Sequence, residues 1–278
     1  MNIGLIFETF IVRPLATILV AIYQGLHVLH IPYSLGFSII ILTIIIRFIL
    51  YPLISAQLKS SKKMQAVAPH LSKLKEKHKG DAKRMQAETM RLYKEHGVNP
   101  AAGCLPLIVQ MPVIWGLYSL LQKVVSLDPH AVVSQVNKLV YFDGLKLTSS
   151  WDPSFFGLPL GQGPSKLFAS VGPWVILIPV LTGVLQFMLS KMLINPKPIQ
   201  QNAIVKKGEE KKEDFASAFQ TQSTYIFPVM IGFFSFQFPV GLSLYWNTFT
   251  VFGIIQQYKI LGLGGLTDWK NKIWKKKN

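Results

Sequence analysis

The segment GFSIIILTIIIRFILYPLISAQ, residues 36–57, is an apolar run with one charge inside it, and it indicates the fold class of this chain. It supplies the roughly 20 apolar residues that a helix needs to cross a bilayer. Arg47 lies in its middle, and a guanidinium keeps its charge at every accessible pH. A charge at the centre of a spanning helix costs about 2.5–3.5 kcal/mol on insertion scales. The segment therefore predicts a spanning helix whose arginine needs a special environment.

Two environments would accommodate Arg47. In the first, the side chain bends toward the lipid headgroups. Gln57, at the end of the segment, lies ten positions away. That separation is about 15 Å along a helix, and an arginine side chain reaches less than half of it. In the second, the charge faces a water-filled cavity, as charged residues inside membrane proteins usually do. We expect Arg47 to face a hydrated cavity within a helix bundle.

The composition is that of a membrane protein. Half of the 278 residues are hydrophobic, the mean hydropathy is +0.35 and the formal charge is +16. A basic soluble protein would not contain repeated apolar runs of this length, whereas a membrane protein gathers its basic residues on one side. Cys104 is the single cysteine, which excludes an internal disulfide. His27 and His30 share a helical face without an acidic or cysteine partner nearby, so no metal site is expected.

Four further apolar segments predict spans after the first one at 36–57. They are residues 104–124 (second span), 171–193 (third), 223–238 (fourth) and 241–261 (fifth). Turn residues dominate 125–170, which predicts an extracytoplasmic loop with one short helix at 132–140. Lysine and glutamate alternate within 194–222, which predicts a mobile cytoplasmic loop.

The N-terminal residues 1–35 are apolar but interrupted. The longest uninterrupted stretch, Pro14–Ile22, is too short to span a bilayer. No basic region precedes it, and Glu8 lies where a signal peptide would have lysines. We expect an amphipathic helix that lies in the extracytoplasmic interface. An additional spanning helix is the alternative.

Residues 58–99 are strongly basic and still carry apolar residues at helical spacing. Two narrow apolar stripes flank Gly80-Asp81: Met64, Val67, Leu71 and Leu74 before it, and Ala82, Met85, Thr89 and Leu92 after it. Stripes separated by a turn predict an antiparallel helical hairpin, in which Pro69 starts or kinks the first arm. The alternative is a disordered basic loop. A basic tail, residues 262–278, ends the chain.

The distribution of charge predicts the orientation. Residues 58–98, 191–223 and 259–278 together hold 23 of the 29 lysines and arginines and nine of the 13 acidic residues. Because basic loops remain in the cytoplasm, this side is expected to be cytoplasmic, with the N-terminus outside and the C-terminus inside. Five spans agree with this orientation. The predicted fold is therefore an all-α polytopic membrane protein with a cytoplasmic helical hairpin.

Polar side chains lie near mid-depth in four of the predicted spans: Arg47, Gln110, Gln186 and Asn247, with Trp246 beside the last. Singly, an amide could join two helices through a bond worth about 0.6 kcal/mol. Together with Arg47 they favour a hydrated cavity. No aspartate or glutamate lies within a span. An acidic partner for Arg47 would then come from outside the chain, and a substrate carrying such a residue would fit.

The sequence has none of the motifs that mark common catalytic or nucleotide-binding sites. It contains no GxSxG, no HExxH and no P-loop. We therefore expect a protein that is not an enzyme and that uses no cofactor.

The remaining motifs resemble those of the YidC/Oxa-type membrane protein insertases. The resemblance covers about residues 35–260. Its motifs are Asn99-Pro100, Gly103-Cys104-Leu105-Pro106 and Gln110-Met111-Pro112 for the second span, and Pro239-Val240-Gly241-Leu242, Tyr245-Trp246 and Gln256-Gln257-Tyr258 for the last. The chain is similar to the compact five-span form typical of Gram-positive bacteria, which implies a bacterial cell membrane as its location.

The resemblance implies a hydrophilic groove that is open to the cytoplasm and to lipid but closed outside. In that groove Arg47 would be the positive charge, and Gln186 and Trp246 would line it. Gln110 and Asn247 are added from their depth and polarity. The implied function is to move nascent hydrophobic segments with short, often acidic tails from the groove into the bilayer, and to assist membrane protein folding.

The implied partners are nascent membrane proteins and the ribosome, which the basic hairpin and tail would contact through RNA phosphates. Anionic lipids would attract the same segments, by about 1 kcal/mol per basic residue. The Sec translocon and the signal recognition particle pathway are further candidate partners. An anion channel or transporter with Arg47 as its selectivity element is the alternative function. Inverted repeats would favour it, and we find no internal repeat.

Overall fold

The computed structural model describes residues 3–78, 80–98, 105–124, 129–193 and 222–267. The helices are α1 (Ile3–Phe7), α2 (Arg13–Val28), α3 (Ser34–Ile49), α4 (Tyr51–Lys77), α5 (Ala82–Glu95), α6 (Leu105–Val124), α7 (Pro129–Leu139), α8 (Pro164–Val171), α9 (Leu177–Met192), α10 (Phe227–Gln237) and α11 (Val240–Leu261). Most of the predicted loop 194–222, most of the tail 262–278 and the motif residues 99–104 lie outside the described residues.

The chain divides into two compact units. The first comprises residues 1–49, 109–187 and 225–252, and the second comprises 50–108, 188–224 and 253–278. The core of the first unit contains Leu35, Ile39 and Leu42 of α3, all nearly inaccessible. In a bilayer, side chains of this kind stabilise the fold through close packing between helices. All five residues predicted to line the groove belong to this unit.

The N-terminal helix is longer than its uninterrupted apolar stretch. One wider turn, Glu8–Val12, joins α1 to α2, so that residues Gly4–Val28 form a helix of 25 residues that is long and apolar enough to cross a membrane. The interfacial placement of residues 1–35 stays a prediction, and the spanning alternative meets its length requirement.

Three polar side chains that interrupt this helix in sequence are bonded to other parts of the first unit. The bonds join Lys123 Nζ to Glu8 Oε2 (2.9 Å), Arg13 Nε to the Leu139 carbonyl (3.4 Å) and Gln24 Nε2 to the Leu145 carbonyl (3.0 Å). Each polar group therefore has a partner within the protein, which lowers the cost of removing it from water.

The predicted first span, 36–57, is not one continuous helix. α3 ends at Ile49 and α4 begins at Tyr51, with the break at Leu50. Pro52 lacks a backbone N–H and cannot donate to the carbonyl four residues earlier, so the helical ladder is interrupted at this point. The segment is thus helical on both sides of a break, and its assignment as the first span stays a prediction.

The second unit contains the basic helical hairpin, formed by α4 and α5. Gly80 takes a φ of +99°, which glycine adopts without steric cost, and Asp81 caps α5 by accepting the Arg84 N–H at 3.0 Å. Val67, in the predicted stripe, is buried. α4 runs through Pro69, so the proline does not start the first arm.

The predicted loop 125–170 contains more regular structure than expected. α7 covers most of the helix predicted at 132–140, but a hairpin of two short strands, β1 (Ser154–Phe155) and β2 (Leu158–Pro159), and the helix α8 were not predicted. Pro164 is the first residue of α8, because the fixed φ of proline suits the first helical position. A proline-rich composition therefore concealed a helix start.

The predicted third span, 171–193, begins later than expected. α8 ends at Val171, and Gly172 then takes a φ of +108°, which breaks the helix. A tight turn at Pro173–Ile176 leads into α9, so the apolar helix runs over Pro173–Met192.

Two described helices are long and apolar enough to cross a membrane, Gly4–Val28 and Pro173–Met192. The pair α3 and α4 passes the same test together and would make a third. Thr224–Gln237 is apolar but shorter. The all-α membrane fold agrees with the prediction, whereas the count of five spans stays a prediction.

Candidate functional site

Helix α11 organises the candidate site. Its first turn is bonded to residues 160–162, in the segment that precedes α8. Phe238 is extended, as residues before proline prefer, and the Pro239 carbonyl accepts the N–H groups of Leu242 and Ser243. Val240 N–H donates to the Gln162 carbonyl at 2.9 Å and Gly241 N–H to the Leu160 carbonyl at 2.8 Å. These bonds satisfy N–H groups that a helix start leaves without an intrahelical partner.

Arg47 is 3% exposed and contacts α11. Its Nη2 donates to the carbonyl of Phe249, and its guanidinium carbon lies 3.4 Å from the centroid of the Phe249 ring. The Phe252 ring is farther away, at 5.8 Å. Nε has no hydrogen-bond partner within the described part of the chain, where no ion pair involves Arg47. The cation is therefore stabilised by an aromatic face and one carbonyl, and part of its donor capacity is unused.

Gln110 contacts α11 one turn before the position that Arg47 contacts. Its amide Nε2 donates to the hydroxyl oxygen of Tyr245, a residue that is 0% exposed. The Tyr245 and Phe249 rings lie 5.9 Å apart, as expected for residues four positions apart on a helix. Gln110 and Arg47 therefore contact neighbouring positions on the same face of α11.

Gln186 of α9 and Trp246 of α11 are in direct contact. The indole Nε1 donates to Gln186 Oε1 at 3.2 Å. The neighbouring Asn247 has a buried Oδ1 that lacks a partner among the described residues. A buried acceptor without a donor costs free energy, which makes this oxygen available to a bound polar group.

Three buried hydroxyls beside Trp246 form a cluster that the sequence analysis missed. Thr182 Oγ1 lies 3.2 Å from Ser235 Oγ, which lies 2.9 Å from Ser243 Oγ. They line a small cavity of about 30 Å³, together with Trp246 and apolar side chains. This volume suffices for one water molecule. Serine and threonine at helical positions carry no distinctive sequence signal, because they commonly bond to their own helix.

Two of the five predicted residues, Trp246 and Asn247, belong to α11, and the other three contact that helix separately rather than forming one cluster. Arg47, Gln110 and Gln186 each bond to a different residue of that helix, and within the described residues no hydrogen bond joins Arg47 to Gln110, Gln186 or Asn247. The water-filled cavity around Arg47 stays a prediction. Phe249 is a further site residue that the sequence did not identify, because an isolated phenylalanine in an apolar helix is unremarkable.

The motif glutamines of the last predicted span lie in the second unit and have structural contacts there. Gln256 Nε2 donates to the Tyr51 carbonyl at 3.2 Å and to Ser55 Oγ at 3.1 Å. Gln257 Nε2 donates to the Met192 carbonyl at 3.2 Å. Both amides thus hold the end of α11 to other helices of this unit.

Comparisons with known proteins agree with the motifs. The family model described as 60Kd inner membrane protein matches residues 27–262. The chain is 32% identical over 231 residues to the membrane protein insertase YidC of Fusobacterium nucleatum, covering 83% of this chain and 88% of that protein. It is 32% identical over 275 residues to the chloroplastic inner membrane protein ALBINO3 of Arabidopsis thaliana, covering 92% and 53% respectively. The chain spans about half the length of the chloroplastic relatives that it matches.

The structure is also similar to a solved one. A crystal structure of an active YidC insertase with its first transmembrane domain resolved superposes with a TM-score of 0.53 at 27% identity, covering 86% of this chain and 44% of the other. The resemblance seen in the motifs is thereby confirmed. With a family model that matches most of its length, this chain belongs to the 60Kd inner membrane protein family, that is, to the YidC/Oxa-type insertases.

Proposed function

We propose that this chain inserts hydrophobic segments of nascent membrane proteins into the bilayer and assists their folding. The observation that carries the proposal is Arg47: a permanent cation, 3% exposed, with an unused Nε and no acidic partner among the described residues. The bacterial relatives of the chain are named membrane protein insertases, which supports the same function. They give no support to the anion-channel alternative, which we do not retain.

The proposed mechanism begins with a client segment that has a carboxylate in its short outward tail. Carrying that carboxylate through the bilayer centre alone costs about 2.5–3.5 kcal/mol on insertion scales. The Arg47 guanidinium can bind it through two N–H groups, and hydrogen bonds to charged groups contribute about 1.5–3 kcal/mol each. Binding to Arg47 therefore offsets much of the cost of the tail, and the apolar part of the segment then moves into lipid.

Gln110, Gln186, Trp246 and Asn247 are proposed to line the groove along α11. Gln110 is bonded to Tyr245 and Trp246 to Gln186, whereas the buried Asn247 Oδ1 has no partner among the described residues. Such groups exchange partners at small cost, because bonds of this type in membranes average only about 0.6 kcal/mol. They can therefore bind the backbone of a passing segment without holding it.

The orientation and the remaining partners belong to the proposal as well. The basic hairpin α4–α5 and the C-terminal lysines would lie in the cytoplasm, with the N-terminus outside. There the hairpin would meet the ribosome or anionic lipids, with the Sec translocon and the signal recognition particle pathway as further partners. The protein would act as a chaperone without a catalytic step of its own.

The test measures insertion of a client with a short acidic tail in bacterial cells depleted of their own insertase. The cells receive wild type, Arg47→Ala, Arg47→Lys or the control Arg13→Ala, which removes an arginine bonded elsewhere in the first unit. We expect Arg47→Ala to fail, and Arg47→Lys and Arg13→Ala to retain insertion. A second client, with asparagine in place of its tail carboxylate, should depend little on Arg47. Insertion by Arg47→Ala at the wild-type level would refute the role of the charge.

A further inference from the structure

Phe249 covers the cation on which the proposed function depends. Its ring and its carbonyl both contact the Arg47 guanidinium, and no other described residue makes both kinds of contact with that group. Phe249 is partly accessible, whereas Arg47 is almost completely buried. The ring therefore covers one face of the buried guanidinium.

This arrangement leaves the guanidinium of Arg47 out of reach of a client. A client carboxylate must approach the guanidinium to within hydrogen-bond distance, about 2.7–2.9 Å, which the buried position of Arg47 does not allow. Some group must move first. Rotation of one partly accessible aromatic side chain requires less rearrangement than displacement of a helix, because side-chain rotamers exchange within packed structures.

We propose that Phe249 is a specificity-determining cover: its ring shields Arg47 until a client carboxylate displaces it. This inference rests on the proposed function. A neutral segment gains nothing from Arg47 and cannot compensate for the lost contact between cation and ring. A carboxylate replaces that contact with charge-assisted hydrogen bonds, which are stronger. The cover thus raises the threshold for weakly acidic or neutral tails and favours strongly acidic ones.

The Phe249→Leu substitution removes the aromatic face but keeps an apolar side chain and the backbone carbonyl that accepts from Arg47. The Phe249→Ala substitution also removes the bulk of the cover. Phe252→Ala is the matched comparison, because that ring is on the same helix but 5.8 Å from the guanidinium carbon, near the outer limit of a cation–π contact. A contact between a cation and a ring in a desolvated site is worth enough to change the exposed population of Arg47 by about 5- to 30-fold.

The first readout does not depend on insertion. Purified protein in lipid vesicles is treated with phenylglyoxal, which modifies accessible guanidinium groups, and the extent of modification is measured at each arginine by peptide mass spectrometry. We expect modification of Arg47 to rise by about 5- to 30-fold in Phe249→Ala, less in Phe249→Leu, and little in Phe252→Ala. Arg84, exposed in the hairpin, is the internal standard and should not change. Equal modification of Arg47 in Phe249→Ala and Phe252→Ala would overturn the inference.

The second readout compares insertion of the acidic-tail client with its asparagine counterpart. We expect the Phe249 variants to insert weakly acidic clients faster and to lose part of the discrimination between the two tails. Greater modification of Arg47 without any change in discrimination would overturn the role of the cover in client selection. Failure of the proposed function is distinguishable, because it would show as wild-type insertion by Arg47→Ala, whatever the Phe249 variants do.

Discussion

Replacing Gly163 by alanine should weaken the junction between residues 160–163 and 237–241, which holds the first turn of α11. The candidate site is built on that helix. A Cβ at Gly163 would lie 2.5 Å from the Gln237 carbonyl oxygen and 2.9 Å from its carbon, at the end of α10. Real Cβ contacts below 3.0 Å essentially never occur. Because the neighbouring atoms are backbone and not a flexible side chain, the two chain segments must separate.

The loss of stability can be worked out from the hydrogen bonds and the tight contact at this junction. The bonds from Val240 N–H to Gln162 and from Gly241 N–H to Leu160, at 2.9 and 2.8 Å, cross the same junction. Each bond contributes about 0.5–1.5 kcal/mol, and overpacking of a tight contact costs about 1–3 kcal/mol. We expect Gly163→Ala to lower the free energy of unfolding by about 2–4 kcal/mol.

Thermal unfolding in detergent, followed by circular dichroism, measures this change. Gly144→Ala is the control: a Cβ there meets nothing within 4 Å, and the residue does not adopt a left-handed backbone conformation. Its free energy of unfolding should change by less than about 0.5 kcal/mol. If Gly163→Ala melts within about 1 °C of Gly144→Ala, the junction yields without cost and the reasoning is refuted.

Two further predictions concern single contacts. A double-mutant cycle with Gln110→Leu and Tyr245→Phe, measured by unfolding in denaturing detergent, should give a coupling free energy of about 0.6 kcal/mol and at most about 1.7 kcal/mol. Strictly additive effects of the two substitutions on the free energy of unfolding would contradict the bond between these side chains. The ammonium of Lys146 holds the pKa of the Asp143 carboxyl below its usual value, through a hydrogen bond and through its charge. Lys146→Met should therefore raise the pKa of Asp143 in an NMR titration, and an unchanged titration midpoint would contradict the pairing. Because the folded-state pKa is lowered, the pair stabilises the fold at neutral pH, and this stabilisation is lost as the pH falls through the folded-state pKa.

Much of the local structure could be predicted from the sequence. The helical hairpin follows from two apolar stripes and from Gly80-Asp81, where a left-handed glycine and an N-cap aspartate make the turn. The start of α11 after Pro239 and the family motifs could also be identified from the sequence. These signals are local, because they depend on residues within one or two helical turns of each other.

The structure differs from the expected elements at two prolines, because proline is compatible with more than one local structure. Pro52 lies inside an apolar run that is long enough to span, and its missing N–H breaks the helix at Leu50. Pro164 lies in a segment rich in glycine and proline that reads as a loop, yet it begins α8. Proline favours both a helix start and an irregular loop, so composition alone does not distinguish them.

A charged arginine in an apolar segment, with no acidic residue in the predicted spans to neutralise it, can be read directly from the sequence. The surroundings of that charge depend on tertiary packing: Phe249, 202 positions away, contributes both the ring and the carbonyl that contact it. In the same way, Glu8 bonds to Lys123 and Trp246 to Gln186. Helical periodicity shows which residues share a face of one helix, but the partner of that face depends on how separate helices pack, which no spacing within a single segment encodes.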